Sequence, residues 1–142
     1  MVRRGAVVLS FIILSVLLVP ASPVGIAAAQ DYSFTLDEEN MLVTVLQDGS
    51  VNIDYEFRFG NVSGLDQDFG VDIGLPNQEY DINTAAATII VNGNEMGARE
   101  VRKSPFIDVG VAVELTPATI DAIQSSGSFV LEFHINDPHM VY

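Results

Sequence analysis

Val51-Asn52-Ile53-Asp54-Tyr55-Glu56-Phe57-Arg58-Phe59 alternates apolar and polar residues without a break. A strand turns successive side chains to opposite faces. Period two therefore sends Val51, Ile53, Tyr55, Phe57 and Phe59 to one buried face and the four polar residues to water. On its N-terminal side, residues 41–46 form a second β-prone run, and Asp48-Gly49 joins the two. A two-residue Asp-Gly turn would set Leu46 opposite Val51 and put Met41, Val43 and Val45 beside polar neighbours. A three-residue Gln47-Asp48-Gly49 loop, with Gly49 left-handed, pairs Val45 with Val51, Val43 with Ile53 and Met41 with Tyr55. The second register gathers more of the apolar set on one face and is preferred.

The same alternation recurs further along. Residues 61–70 read as a polar loop, after which Phe69, Val71, Ile73 and Leu75 alternate until Pro76-Asn77. Residues 88–91 and a short return strand around Glu95-Met96 flank Asn92-Gly93, a hairpin signal. Residues 106–115 and 128–135 repeat the pattern. Between those two, Thr116 suits an N-cap, Pro117 the first helical position and Gly127 a left-handed C-terminal cap, with Leu115 and Ile120 placed as a hydrophobic staple. The expectation is an all-β fold, an antiparallel immunoglobulin-like β-sandwich with one short helix.

The first thirty residues are of a different kind. Arg3 and Arg4 precede an apolar stretch over residues 6–19, Pro20 ends it, and Ala27-Ala28-Ala29 fits the small-residue rule for signal peptidase. Residues 1–29 are thus expected to be a signal-peptide helix, cleaved between Ala29 and Gln30. Retention as an uncleaved membrane anchor is the alternative, disfavoured because the stretch is shorter than the roughly 20 apolar residues of a span. The expected location is secreted or extracytoplasmic, at the cell surface.

Residues 30–142 are then one domain. The whole chain carries a net charge of −13; without Arg3 and Arg4, four basic residues face 19 acidic ones, a net charge of −15. Such a surface repels nucleic acid and anionic lipid and favours divalent cations or basic partners. A salt-adapted host would leave the same composition. No cysteine is present, which excludes disulfides and thiolate metal sites. Because residues 129–135 read as a core strand so close to Tyr142, the domain also reads as truncated at its C-terminus.

Several stretches carry a resemblance: Gln47-Asp48-Gly49-Ser50-Val51 leading into Asp54-Tyr55-Glu56-Phe57, then Val71-Asp72-Ile73-Gly74-Leu75-Pro76-Asn77, Val109-Gly110-Val111 and Met140-Val141-Tyr142. Together they resemble the secreted N-terminal β domain of uncharacterised bacterial and archaeal predicted membrane proteins, a domain of unknown function. The resemblance implies a domain that continues toward a transmembrane segment and supplies no catalytic or binding residues.

Chemistry-bearing motifs are sparse. No nucleophile elbow, phosphate-binding glycine-lysine loop or His-Glu-x-x-His occurs, so no enzyme is expected. His134 shares the outward face of its strand with Glu132 and reads as a surface histidine; His139 lies near the end. Asp66, Asp68 and Asp72 offer hard oxygen ligands of the kind calcium takes, but the EF-hand glutamate is missing. A solvated acidic loop is the blander account. Asp37-Glu38-Glu39 reads as a charged turn before the first strong strand. Asn61-Val62-Ser63 is a glycosylation sequon in an apparent loop. Arg99, Arg102 and Lys103 cluster as a docking patch, or as a loop whose charges pair locally with Glu95 and Glu100. The leading function is a non-enzymatic exported module for protein interaction, sensing or assembly at a cell surface or membrane. The alternative is a calcium-stabilised surface or polysaccharide-binding domain.

Overall fold

The computed structural model describes residues 32–139; the expected signal segment with its Ala29/Gln30 junction lies outside them. Seven strands and one helix follow in the order β1 (Ser33–Val45), β2 (Val51–Ser63), β3 (Gly70–Gly74), β4 (Asp81–Val91), β5 (Asn94–Lys103), β6 (Gly110–Leu115), α1 (Pro117–Ser126) and β7 (Phe129–Asp137). The strands form one curled sheet in the order β1-β2-β7-β4-β5-β6-β3, every neighbouring pair antiparallel. The fold is therefore mostly antiparallel β with one short helix.

The preferred register of the first hairpin is the one observed: Val45 faces Val51, Val43 faces Ile53 and Met41 faces Tyr55. Gly49 has φ 86°, the left-handed conformation that a side chain would oppose. Asp48 accepts hydrogen bonds from the Ser50 amide at 3.0 Å and the Ser50 hydroxyl at 2.7 Å, which fixes the loop. The helix also starts and stops as its residues dictate. Thr116 Oγ1 accepts from the Thr119 amide at 3.2 Å, Pro117 opens the first turn, and Gly127, at φ 72°, closes the last by donating to the Ile123 carbonyl.

Other boundaries differ from the sequence expectation. Asp37-Glu38-Glu39 is not a turn but lies inside β1, a strand of 13 residues. Arg58 holds Glu38 at 3.0 Å across the ladder, and Asp37 is the extra residue of a bulge between the pairs Leu36–Phe59 and Glu38–Arg58. Strand β2 runs on to Ser63, so residues 61–63 are not loop, and Val62 and Leu65 are buried. Strand β4 begins at Asp81, seven residues before the expected start. Its early part lacks alternation because residues 82–85 bulge out between the pairs Asp81–Asn136 and Ala86–His134, pinned by the Thr84 hydroxyl accepting from the Asn136 amide at 2.9 Å. The return strand is ten residues long rather than a short stub. Residues 106–109 are outside β6: the Ser104 hydroxyl accepts from the Phe106 and Ile107 amides at 3.0 and 2.9 Å, and Pro105 has no amide to give a ladder.

Strand β5 joins the two parts of the curled sheet. Residues 94–97 pair with β4 and residues 98–103 with β6, with Arg99 the extra residue between the pairs Ala98–Leu115 and Glu100–Glu114. A bulge bends its strand and raises the local twist, which adds to the curl of the sheet here. The core fills the concave side: Ile53, Ile89, Val111, Val113, Leu131, Phe133 and Ile135 are almost wholly buried, joined by Ile120 and Ile123 of α1. Among the described residues, the sheet's free edges are β1 and β3.

Candidate functional site

The structure spreads the sequence-nominated residues over different surfaces. Asp66 and Asp68 lie between β2 and β3, and Asp72 is on β3. All three border one depression of about 500 Å³, shared with Arg102, Phe106 and Glu114. Their carboxylates are nonetheless engaged separately. Asp66 accepts from the Asp68 amide at 3.1 Å, Asp68 faces Arg99 at 3.8 Å, and Asp72 accepts from the Ser104 hydroxyl at 2.5 Å. Among the described residues no group of three or more histidine, cysteine or acidic side chains is arranged to hold a metal ion.

Arg99, Arg102 and Lys103 sit on β5 rather than in a loop, because the ladder with β6 continues to Lys103. Arg102 pairs with Glu114 across that ladder at 2.6 Å. The carboxylates nearest Arg99 and Arg102 are thus Asp68 and Glu114 rather than Glu95 and Glu100. Asn61 is likewise in a strand, at a bulge in β2 with φ 51°; its side-chain amide is exposed and donates to Thr35 Oγ1 at 3.3 Å. His134 does share the outer face with Glu132, and its Nδ1 lies 2.7 Å from Asp54 on the neighbouring strand. His139 follows β7 in a turn, its amide donating to Asp137 at 3.0 Å.

The aromatic residues assigned to the core, Tyr55, Phe57, Phe59, Phe129 and Phe133, are buried. Burial pushes the Tyr55 phenol above its ordinary pKa, and the nearby Glu39 carboxylate adds to the effect. Sequence reasoning missed the exposed aromatics: Tyr32, Phe34 and, 86% exposed, Phe106. Tyr32 and Phe34 help line a cavity of about 340 Å³ between the two free edges. Phe34 meets Phe59 edge-on at 5.6 Å, Tyr32 meets Phe69 at 5.6 Å, and Phe59 stacks on Phe129 at 4.6 Å.

The open side of the sheet is its most unusual surface. Strand β1 is exposed at every position. Directly opposed residues share a face, so Met41, Val43 and Val45 lie on the concave face with the buried Tyr55, Ile53 and Val51. Yet Met41 is 58% and Val45 59% exposed, and Leu42 on the convex face is 63% exposed. The backbone is open too. The Leu46 amide donates to the Ser50 carbonyl at 2.8 Å, so residues 46, 44, 42 and 40 turn their polar groups toward β2. Glu39, Met41, Val43 and Val45 therefore aim amide and carbonyl outward, away from β2. Pairing is uninterrupted from Glu38 to Val45.

Proteins usually blunt such an edge with lysine, proline, a bulge or an inward-facing charge. Here the bulge at Asp37 and the concave-facing Glu39 serve one half. Residues 40–45 carry none of these devices. No helix among the described residues is long and apolar enough to cross a membrane. The chain matches no protein-family model, and no curated protein or solved structure is significantly similar to it.

Proposed function

We propose that this chain is a non-enzymatic, extracytoplasmic module, an immunoglobulin-like sandwich folded about β5, that assembles with a protein partner by accepting a strand at the edge of β1. The single observation behind this reading is the edge itself: a regular eight-residue ladder with four outward-facing backbone positions, flanked on both faces by exposed Met41, Leu42, Val43 and Val45. Main-chain hydrogen bonds give such strand addition its affinity, and side-chain alternation its specificity. Fully burying one Val, Leu or Met side chain contributes about 1.5–3 kcal/mol. Export through residues 1–29 belongs to the same reading and supplies the compartment; the acidic surface suits a partner that is not a nucleic acid. The resemblance to the secreted domain of predicted membrane proteins fits it as well.

Two experiments test it. Mass spectrometry of the protein made in a secreting host should show a chain beginning at Gln30; a cytoplasmic, full-length product would remove the export half. Selection of phage-displayed nine-residue peptides against the chain from Gln30 should enrich extended binders that no longer bind Val43→Pro, because proline deletes an outward amide while leaving the β2 ladder intact. Enrichment that ignores Val43→Pro would refute strand addition. A melting shift on calcium titration, with no such peptides, would favour a calcium-stabilised surface domain built on Asp66, Asp68 and Asp72.

A further inference from the structure

The chemistry of the incoming strand follows from the two faces that flank the β1 edge, an inference that rests on the strand-addition reading above. On the concave face, the next strand's side chains would stand beside Met41, Val43 and Val45, an apolar row. On the convex face they would stand beside Glu38, Asn40 and Leu42. Behind these come Asp54, Glu56 and Glu132, which register places on the same face. Four carboxylates there face one guanidinium, that of Arg58, which already bonds Glu38 at 3.0 Å and Glu56 at 2.6 Å, and one imidazole, that of His134, 2.7 Å from Asp54.

The edge is thus apolar on one side and acidic on the other, and a complementary strand must be apolar on one side and basic on the other. A second copy of this chain meets that requirement poorly. Its own β1 has no lysine or arginine, and each chain carries a net charge of −13. Two copies would bring like-charged faces together, and like charges opposed across a sheet are destabilising. We propose that the β1 edge receives an extended segment of another protein in which apolar and basic residues alternate. Its apolar side chains cover Met41, Val43 and Val45, and its basic side chains lie along the row of Glu38, Glu56 and Asp54.

Synthetic octapeptides, matched to the eight-residue ladder, test this against the chain from Gln30. The probe is acetyl-Val-Lys-Ile-Lys-Val-Lys-Ile-Lys-amide. One control has glutamate in place of lysine; another has the same composition with the apolar residues in one block and the lysines in a second. In isothermal titration at 0.15 M salt the alternating lysine peptide should bind at least about tenfold more tightly than either control. N-methylation of its alternate backbone amides, or Val43→Pro in the protein, should weaken it at least about tenfold, the effect of losing one or two backbone hydrogen bonds. Amide exchange at Met41, Val43 and Val45 should slow on binding.

If the glutamate peptide binds equally well and still loses affinity with Val43→Pro, the basic chemistry is wrong and strand addition stands. If the block peptide matches the alternating one, or neither N-methylation nor Val43→Pro matters, binding is charge attraction alone and both readings fall. Failure of every peptide to bind also overturns both. A dimer at micromolar concentration that Val43→Pro dissolves would make a second copy the occupant and overturn this proposal. The N-methylated peptide keeps the test decisive even if Val43→Pro lowers stability.

Discussion

Replacing Gly110 by alanine is expected to destabilise the fold, whereas the same change at Gly74, its partner across the β3–β6 ladder, is expected not to. A Cβ at Gly110 would stand 2.6 Å from the Ile73 carbonyl oxygen and 3.1 and 3.3 Å from Ile107 side-chain atoms; a Cβ at Gly74 would meet nothing within 4 Å. The Ile73 oxygen is backbone, so β3 and β6 must part to admit the methyl. That shift strains further bonds, because the Gly110 carbonyl accepts from the Ser104 amide at 3.0 Å and the Tyr80 hydroxyl at 3.1 Å. Overpacking of this kind costs about 1–3 kcal/mol. Loss of unfolded-state freedom returns about 0.4–1 kcal/mol. The net expectation is a loss of about 1–2 kcal/mol for Gly110→Ala, or a melting point about 4–10 °C lower. Gly74→Ala retains only the favourable part and gains up to about 1 kcal/mol. Urea and thermal unfolding of the chain from Gln30, followed by circular dichroism, measure both. Equal changes in the two variants would refute the steric argument.

Thr116→Ala removes the N-cap of α1 and should cost about 1 kcal/mol in urea unfolding, while Thr116→Ser, which keeps the hydroxyl, should cost little. Hydrogen bonds from the Ser50 hydroxyl and amide hold the Asp48 carboxyl below its ordinary pKa. Its contribution is therefore present above the unfolded pKa of about 4 and is lost as pH falls through the folded value; Asp48→Asn should flatten that part of an acid titration of stability. Tyr55 has the opposite sign. Its folded pKa is raised by burial and then by Glu39, so its contribution is complete below about pH 10 and is lost as pH rises through the folded value. Alkaline unfolding of Tyr55→Phe should show a shallower loss above pH 10; an unchanged profile would contradict the assignment.

Where one face of a strand is buried and the pattern is regular, the residues themselves determine the outcome. Residues 51–59 alternate strictly and form β2. Of the two registers that Asp48-Gly49 allows, the one that gathers the apolar residues on one face is the one formed. Thr116, Pro117 and Gly127 bound the helix because each satisfies or removes a particular terminal backbone group. These are local effects, decided within a few residues.

Tertiary structure alone decided the rest. Residues 33–40 become strand because β2 offers a ladder, with Arg58 neutralising Glu38, although an isolated Asp37-Glu38-Glu39 has no preference for that conformation. The bulges at Asp37, Asn61, residues 82–85 and Arg99 interrupt alternation, and a periodicity argument breaks where an extra residue is inserted. Arg102 finds Glu114 through a register no local spacing encodes. The candidate site is the plainest case. Met41, Val43 and Val45 alternate as a core strand would and stand on the apolar face, yet burial depends on what lies opposite that face. Because β1 and β3 stand at the two ends of the strand order, the described residues leave the far edge of β1 open. Pattern assigns a side chain to a face, and only the folded chain decides whether that face is covered.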